Sequence, residues 1–339
     1  MSKLLLMLKS VHTLIVALLI LITTACGNRD YYRIAVDVVE PISIARFDSL
    51  IYKYVHLSDS AVITALMTES GEFWKIYNRH ILGLNDAPLY CDGLRNFYRE
   101  CADIGLYDMT FDQYESADSD ARLLSQVAAR YKRLFPDKLT PVFQYHVSGL
   151  SAQSVVTMDS LISISIDCYL DNCSLYNRRY YDYELQQHSR SRLLPDVSEV
   201  LLRNALPSPP MVTLLDAMVY EGRIAYLTGG LIDDNTSMAI MGYTVDENNW
   251  CVENEELVWT TIIEQGDLFK SDNITINKYL RPAPFTATLA QNSPGRVGRW
   301  VGWRIVDEYA RREGLTPMQI ATDRRQADEV LRLSGYDGR

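Results

Sequence analysis

The chain has 339 residues, 47% hydrophobic, 10% aromatic and 22% charged, which is the make-up of a folded protein with a sizeable core rather than of a disordered tail or a collagen-like rod. Its 33 basic residues face 43 acidic ones, giving a formal charge of −10. That balance excludes a general nucleic-acid binder, which needs a basic footprint.

Lys3 and Lys9 lead into the apolar run VHTLIVALLILI, which ends at Thr23, Thr24, Ala25 and Cys26 and turns polar at GNRDYYR. A basic start, an apolar middle and small residues before a cut form an export-signal pattern. We expect residues 1–25 to be a lipoprotein signal peptide and residues 26–339 a globular envelope domain on a short N-terminal tether. A single spanning helix is the competing reading. Lys9 and His12 interrupt it, leaving an apolar run shorter than the ~20 residues a comfortable span needs. The residues before Cys26 resemble the lipobox of bacterial lipoproteins, with Thr23 where leucine is commonest. The resemblance implies that Cys26 bears acyl chains such as palmitate, each buried methylene contributing ~0.8 kcal/mol to membrane attachment. The leader's only charges are Lys3 and Lys9, so the exported part is more acidic than the whole.

Residues 31–56 read as an extended lead-in that gives way to a helical repeat around Phe47, Leu50, Ile51 and Tyr54. Ser58-Asp59 can start a helix through AVITALMTESGEFWKIYNRHILG. In ESADSDARLLSQVAARYKRLFPD, Leu123, Leu124, Val127, Ala128 and Tyr131 share one face, and the helix ends at Phe135-Pro136. Between Thr140 and Asp167 the period changes, and PVFQYHVSG, QSVVTM and LISISID form three short β-rich runs. Helical patterns return in VSEVLLRNAL, MVTLLDAMVYEGRIAYLTGG and DENNWCVENEELVWTTIIEQG. Pro294 then precedes a helix through GRVGRWVGWRIVDEYARREG, and Thr316 can cap the following helix with Gln319 at its third position. No long linker or internal repeat interrupts this order. The expected fold is α+β: one predominantly helical domain with a small β-sheet.

Five cysteines follow Cys26: Cys91, Cys101, Cys168, Cys173 and Cys251. The odd count leaves at least one thiol free. Export permits bridges, with Cys91/Cys101 or Cys168/Cys173 closing short loops, and buried free thiols are the equal alternative. The spacing is neither CxxC nor a zinc-ribbon pattern. His56, His80, His146 and His188 show no metal-ligand spacing, and each reads more simply as a local structural residue. No GxSxG elbow supports a serine hydrolase. The 43 acids offer many carboxylate pairs, and the sequence singles out none at catalytic separation.

Glu221 sits mid-helix in VYEGRIAYL, where an inward-facing carboxylate must be paired, protonated or metal-bound. Gly295, Gly298 and Gly302 do not form GxGxxG, and close helix packing is their expected role. Trp300, Trp303, Ile305, Val306 and Tyr309 form a broad apolar stripe suited to a core. Arg296, Arg299 and Arg304 could neutralise Glu221 across a cleft, although plain surface solvation is the expectation for any one of them. Glu253, Glu255 and Glu256 could likewise reach arginines or face water.

Taken in order, ACGNRDYYRI, GEFWKIYNRHILG, SISIDCYL, LLDAMVYEGRIAYL, GYT with WCVENEELVW, and PFTATLAQNSPGRVGRWVGWRIVDEY resemble the gliding-motility lipoprotein GldB family of Bacteroidota-type bacteria over nearly the full chain. The resemblance implies a cell-envelope lipoprotein associated with gliding or the linked protein-secretion machinery, with envelope proteins as partners and a domain facing the periplasm or the surface. That family is in turn distantly similar to zincin-like metallopeptidases, in which an EG segment supplies a carboxylate ligand downstream of an HExxH helix. Glu221 matches the carboxylate, but LLPDVSEVLLRNAL contains no HExxH. The implied molecule is a degenerate zincin-like scaffold adapted to protein contacts, without metal, cofactor or catalytic residues. Tyr220, Glu221, Arg223, Arg296 and Arg299 are its candidate remnant-site or interaction residues, and Glu221 would pair with an arginine or a tyrosine hydroxyl. The alternative is a divergent envelope hydrolase or zincin-like metallopeptidase. A small-ligand binding module is a third reading, which a deep apolar pocket with convergent polar groups would favour over a packed core.

Overall fold

The computed structural model describes residues 31–84, 90–151, 154–208, 210 and 213–339. Cys26 and the expected signal peptide lie outside the described residues. Tyr32–Arg339 pack as one compact unit. No helix among the described residues is long and apolar enough to cross a membrane.

The N-terminal part runs β1 (Ile44–Arg46), α1 (Phe47–Tyr54), α2 (Asp59–Ser70) and α3 (Phe73–Ile76), followed by a π turn at Tyr77–Ile81. The long helical stretch expected after Ser58 is therefore divided. Gly71, at φ 55°, ends α2 in a conformation that a side chain would resist. Next come α4 (Tyr90–Asp103), α5 (Leu106–Gln113) and α6 (Asp118–Leu134). On α6, Leu124, Val127, Ala128 and Tyr131 are buried as expected, whereas Leu123 is exposed, because the apolar stripe is narrower than the sequence pattern implied.

The three β-rich runs become β2 (Val142–His146), β3 (Val155–Met158) and β4 (Leu161–Ser165). The lead-in supplies a fourth strand, and the sheet order is β1-β2-β4-β3. β2 lies parallel to both β1 and β4, with Phe143 opposite Ile44 and Ile162, while β3 is antiparallel to β4. Gln144, His146, Ser163 and Ser165 point away from the apolar face and are buried too. Gln144 Nε2 donates to Ser163 Oγ at 3.1 Å, and His146 Nδ1 lies 2.8 Å from the same oxygen, so this second face is covered and internally bonded.

The C-terminal half is helical: α7 (Asp182–Leu185), α8 (Leu193–Ala205), α9 (Leu214–Ile232), α10 (Ser237–Met241), α11 (Val245–Glu253), α12 (Glu255–Glu264), α13 (Asn273–Leu280), α14 (Val297–Glu313), α15 (Pro317–Thr322) and α16 (Ala327–Ser334). α9 is apolar nearly all round and is correspondingly buried on most sides. Its start is fixed by a capping box, in which Thr213 accepts the Asp216 N–H and Asp216 accepts the Thr213 N–H. The expected Thr316–Gln319 box starts α15 in the same way.

α9 and α14 cross with their backbones in direct contact. A Cβ on Gly222 would lie 2.1 Å from the Gly302 carbonyl, and one on Gly302 would lie 1.9 Å from the Met218 carbonyl oxygen. Gly295 and Gly298 are similarly tight against Ala283 and Tyr279. These glycines serve close packing, as expected, and Trp300, Trp303, Ile305, Val306 and Tyr309 are buried around them. All five described cysteines are free and buried; burial pushes the Cys101 and Cys168 thiols up to about 12.

Candidate functional site

The crossing sets Glu221, the residue before Gly222, against α8. That helix presents Asp196, Glu199 and Arg203 at positions i, i+3 and i+7, hence along one face. Arg203 holds both oxygens of Glu221, at 2.8 and 2.7 Å, in the two-pronged geometry that a planar guanidinium favours. Arg203 also lies 3.7 Å from Glu199. From α14, Arg299 donates to Glu199 and stands 3.9 Å from Glu221. Two arginines and two glutamates from three helices thus form a closed ring of alternating charge.

The electrostatics follow from this ring. Burial alone would raise Glu199, but Arg299, Arg192 and Arg203 outweigh it and hold its carboxyl below the ordinary value. Burial likewise works against Arg203 and Arg299, yet their carboxylate partners keep both guanidiniums above their usual value. Asp196 goes the other way. Burial raises it more than Arg192, at 2.7 Å, can lower it, and the Tyr169 hydroxyl donates to its second oxygen at 2.9 Å.

Beside the ring lies a cleft of 310 Å³. Its walls are the Asp196–Glu199 face of α8, the segment around Tyr180–Arg192, Tyr243, and the Gly295–Arg299 start of α14. His188 stacks on Tyr180 with ring centroids 3.6 Å apart, and burial lowers its basicity. Tyr243 donates to the Gly295 carbonyl at 2.8 Å, tying one wall to the next.

Of the five residues singled out from the sequence, Glu221 and Arg299 share the ring, and Arg296 lines the cleft beside Arg299. Arg299 is 5% exposed, which corrects the expectation of surface solvation; its charge is tolerable inside because two carboxylates face it. Arg304 pairs with Glu255 at 2.9 Å, while Glu253 and Glu256 are exposed. Tyr220 and Arg223 line a separate cavity of 330 Å³, where Arg223 donates to the Asp323 carbonyl at 3.0 Å. Tyr220 reaches the Leu206 carbonyl at 3.4 Å, and Arg203 lies 6.0 Å from the centre of its ring.

Sequence reasoning missed Arg192, Asp196, Glu199 and Arg203. A charged residue every three or four positions along a largely apolar α8 was the available signal, since such a row must find partners when the helix is packed. The set does not suit a zinc ion: the oxygens of Glu199 and Glu221 are engaged by guanidiniums, and α8 carries no histidine. Among the described residues no group of three or more His, Cys, Asp or Glu is placed to hold a metal.

A family model described as gliding motility protein GldB matches residues 29–338. No curated protein and no solved structure matches the chain.

Proposed function

Since this chain belongs to the family of gliding motility protein GldB, we propose that it is a lipid-anchored protein of the bacterial cell envelope that supports the assembly or operation of the gliding machinery, or of its linked secretion apparatus, without catalysing a reaction. The observation that carries this reading is the match over residues 29–338, which begins just beyond Cys26 and its lipobox-like leader. The commitment of Glu221 to Arg203 supports a non-catalytic role, because a carboxylate whose two oxygens are both held by a guanidinium is poorly placed to ligate a metal ion. In this reading the likeness to zincin-like metallopeptidases is one of scaffold alone, and the acidic, helix-rich exterior presents contacts to envelope proteins.

The test compares full-length wild type with C26A in the native host. The expected result is labelled palmitate and membrane sedimentation for wild type, both lost in C26A, with envelope proteins cross-linked to wild type. Retention of label by C26A would refute attachment at Cys26. Recovery of no envelope protein with either form would sink the assembly role.

A further inference from the structure

Three guanidinium groups stand around the 310 Å³ cleft, and two of them are neutralised. Arg192 is held by Asp196 and Arg299 by Glu199. Arg296 donates one nitrogen to the Met241 carbonyl at 2.9 Å, closing the end of α10, and forms no ion pair among the described residues. Two rim carboxylates are hydrogen-bonded by neutral donors. Glu184 accepts the Tyr181 N–H at 3.0 Å, and Glu247 accepts from the Thr244 N–H and from Gln186 Nε2, both at 2.8 Å.

Arg296 is also under electrostatic and conformational pressure. Burial, followed by repulsion from Arg299 and Arg192 and only partly offset by Tyr243 and Glu199, holds its guanidinium below the ordinary value, which an incoming anion would oppose. Its backbone sits at φ 58°, in the left-handed region, where a glycine would rest at lower cost. An arginine occupies that position at the cleft wall. The same cleft is lined by Tyr180, Tyr183 and Tyr243 and by Pro282 and Ala283.

We propose that Arg296 anchors a binding site for a carboxylate, carried on a body of amino-acid or monosaccharide size that packs against these tyrosines. A guanidinium can take a carboxylate with two parallel hydrogen bonds, and a cleft of this volume lies at the small end of ligand pockets. The same chemistry is offered by the free end of a peptide and by a uronic acid. The site stands independently of lipid attachment at Cys26.

Thermal unfolding of the detergent-solubilised full chain tests this with two matched pairs of probes: N-acetylalanine against N-acetylalaninamide, and galacturonate against galactose. An acid at ten times its Kd raises the midpoint by about 2 °C, and its neutral partner does not. A rise with N-acetylalanine alone assigns a peptide end, with galacturonate alone a sugar acid, and with both the carboxylate itself. R296Q, which keeps a donor for Met241, abolishes the rise while its urea midpoint stays near wild type; R133Q, an exposed control, keeps it. R296K, retaining the charge without the planar fork, binds at least about tenfold more weakly. The acid-against-neutral comparison needs no variant, so it decides the matter even where R296Q fails to fold. Equal responses to acid and neutral probes, no rise up to about 50 mM, or an undiminished rise in folded R296Q overturns the proposal.

Discussion

Gly302→Ala probes the contact on which the helical half is built. The added methyl would lie 1.9 Å from the Met218 carbonyl oxygen, against a closest ordinary carbon–oxygen approach of about 3.3 Å. The shortfall is about 1.4 Å, and backbone on both sides means that no side chain can rotate away to absorb it. α9 and α14 must separate, loosening the packing around Trp300, Val301 and Ile305 of α14, all of them buried. Overpacking of this kind costs about 1–3 kcal/mol and more where the backbone must move. Helix propensity acts in the opposite direction, favouring alanine over glycine by about 1 kcal/mol. The net expectation is a loss of about 2 kcal/mol, read as a lower urea midpoint by far-UV circular dichroism and tryptophan fluorescence together. Gly266→Ala is the control: nothing lies within 4 Å of its Cβ position, and only its φ of 61° resists, so its loss is about 1 kcal/mol. The sign makes the test decisive. Were the two helices not in contact at this position, propensity alone would make Gly302→Ala as stable as wild type or more so, and that result would refute the close crossing.

Two further outcomes follow from the charges. Asp267 is 1% exposed and accepts from Lys270, Lys278 and the Tyr279 hydroxyl; burial would raise it, but these bonds outweigh burial and hold it at about 2. A carboxyl lower in the folded than in the unfolded chain stabilises the fold above its unfolded value of ~3.9, and that stabilisation is lost as pH falls through about 2. Urea titrations should therefore find D267N about 2 kcal/mol less stable than wild type at pH 7, with the gap closing toward pH 2; a gap independent of pH would contradict the assignment. At the ion-pair ring, E221Q leaves Arg203 with a weaker partner. Because the Arg203 side chain is 37% exposed, water screens part of the loss, and a double-mutant cycle with R203M should return a coupling of about 1–2 kcal/mol. A coupling near zero would mean that the two side chains do not act as a pair.

Local signals carried most of the secondary structure. Thr316 and Gln319 announced their capping box three residues apart, the change from helical period to alternation marked β2, β3 and β4, and the apolar stripe of α14 was legible in Trp300, Trp303 and Tyr309. β1 was not legible as a strand, because its three residues pair with Phe143–Tyr145 and owe their conformation to a partner nearly a hundred positions away. Leu123 erred for a related reason: a helix's own pattern fixes which residues share a face, but the width of the face that meets the core depends on what packs there.

The division at the candidate site is similar. Composition and pattern alone determined an acidic, mainly helical chain, with Glu221 marked as a carboxylate in need of a partner and the glycines of α14 marked for packing. Only the tertiary structure decided that the partner is Arg203, that Arg299 is buried against Glu199 and Glu221 rather than solvated, and that Arg296 stands at the cleft with no ion pair among the described residues. Propensity, capping and periodicity act within a few residues and can be read along the chain. Ion pairing depends on distances of a few ångströms between side chains on different helices, and here those distances exist because Gly222 and Gly302 let α9 and α14 touch.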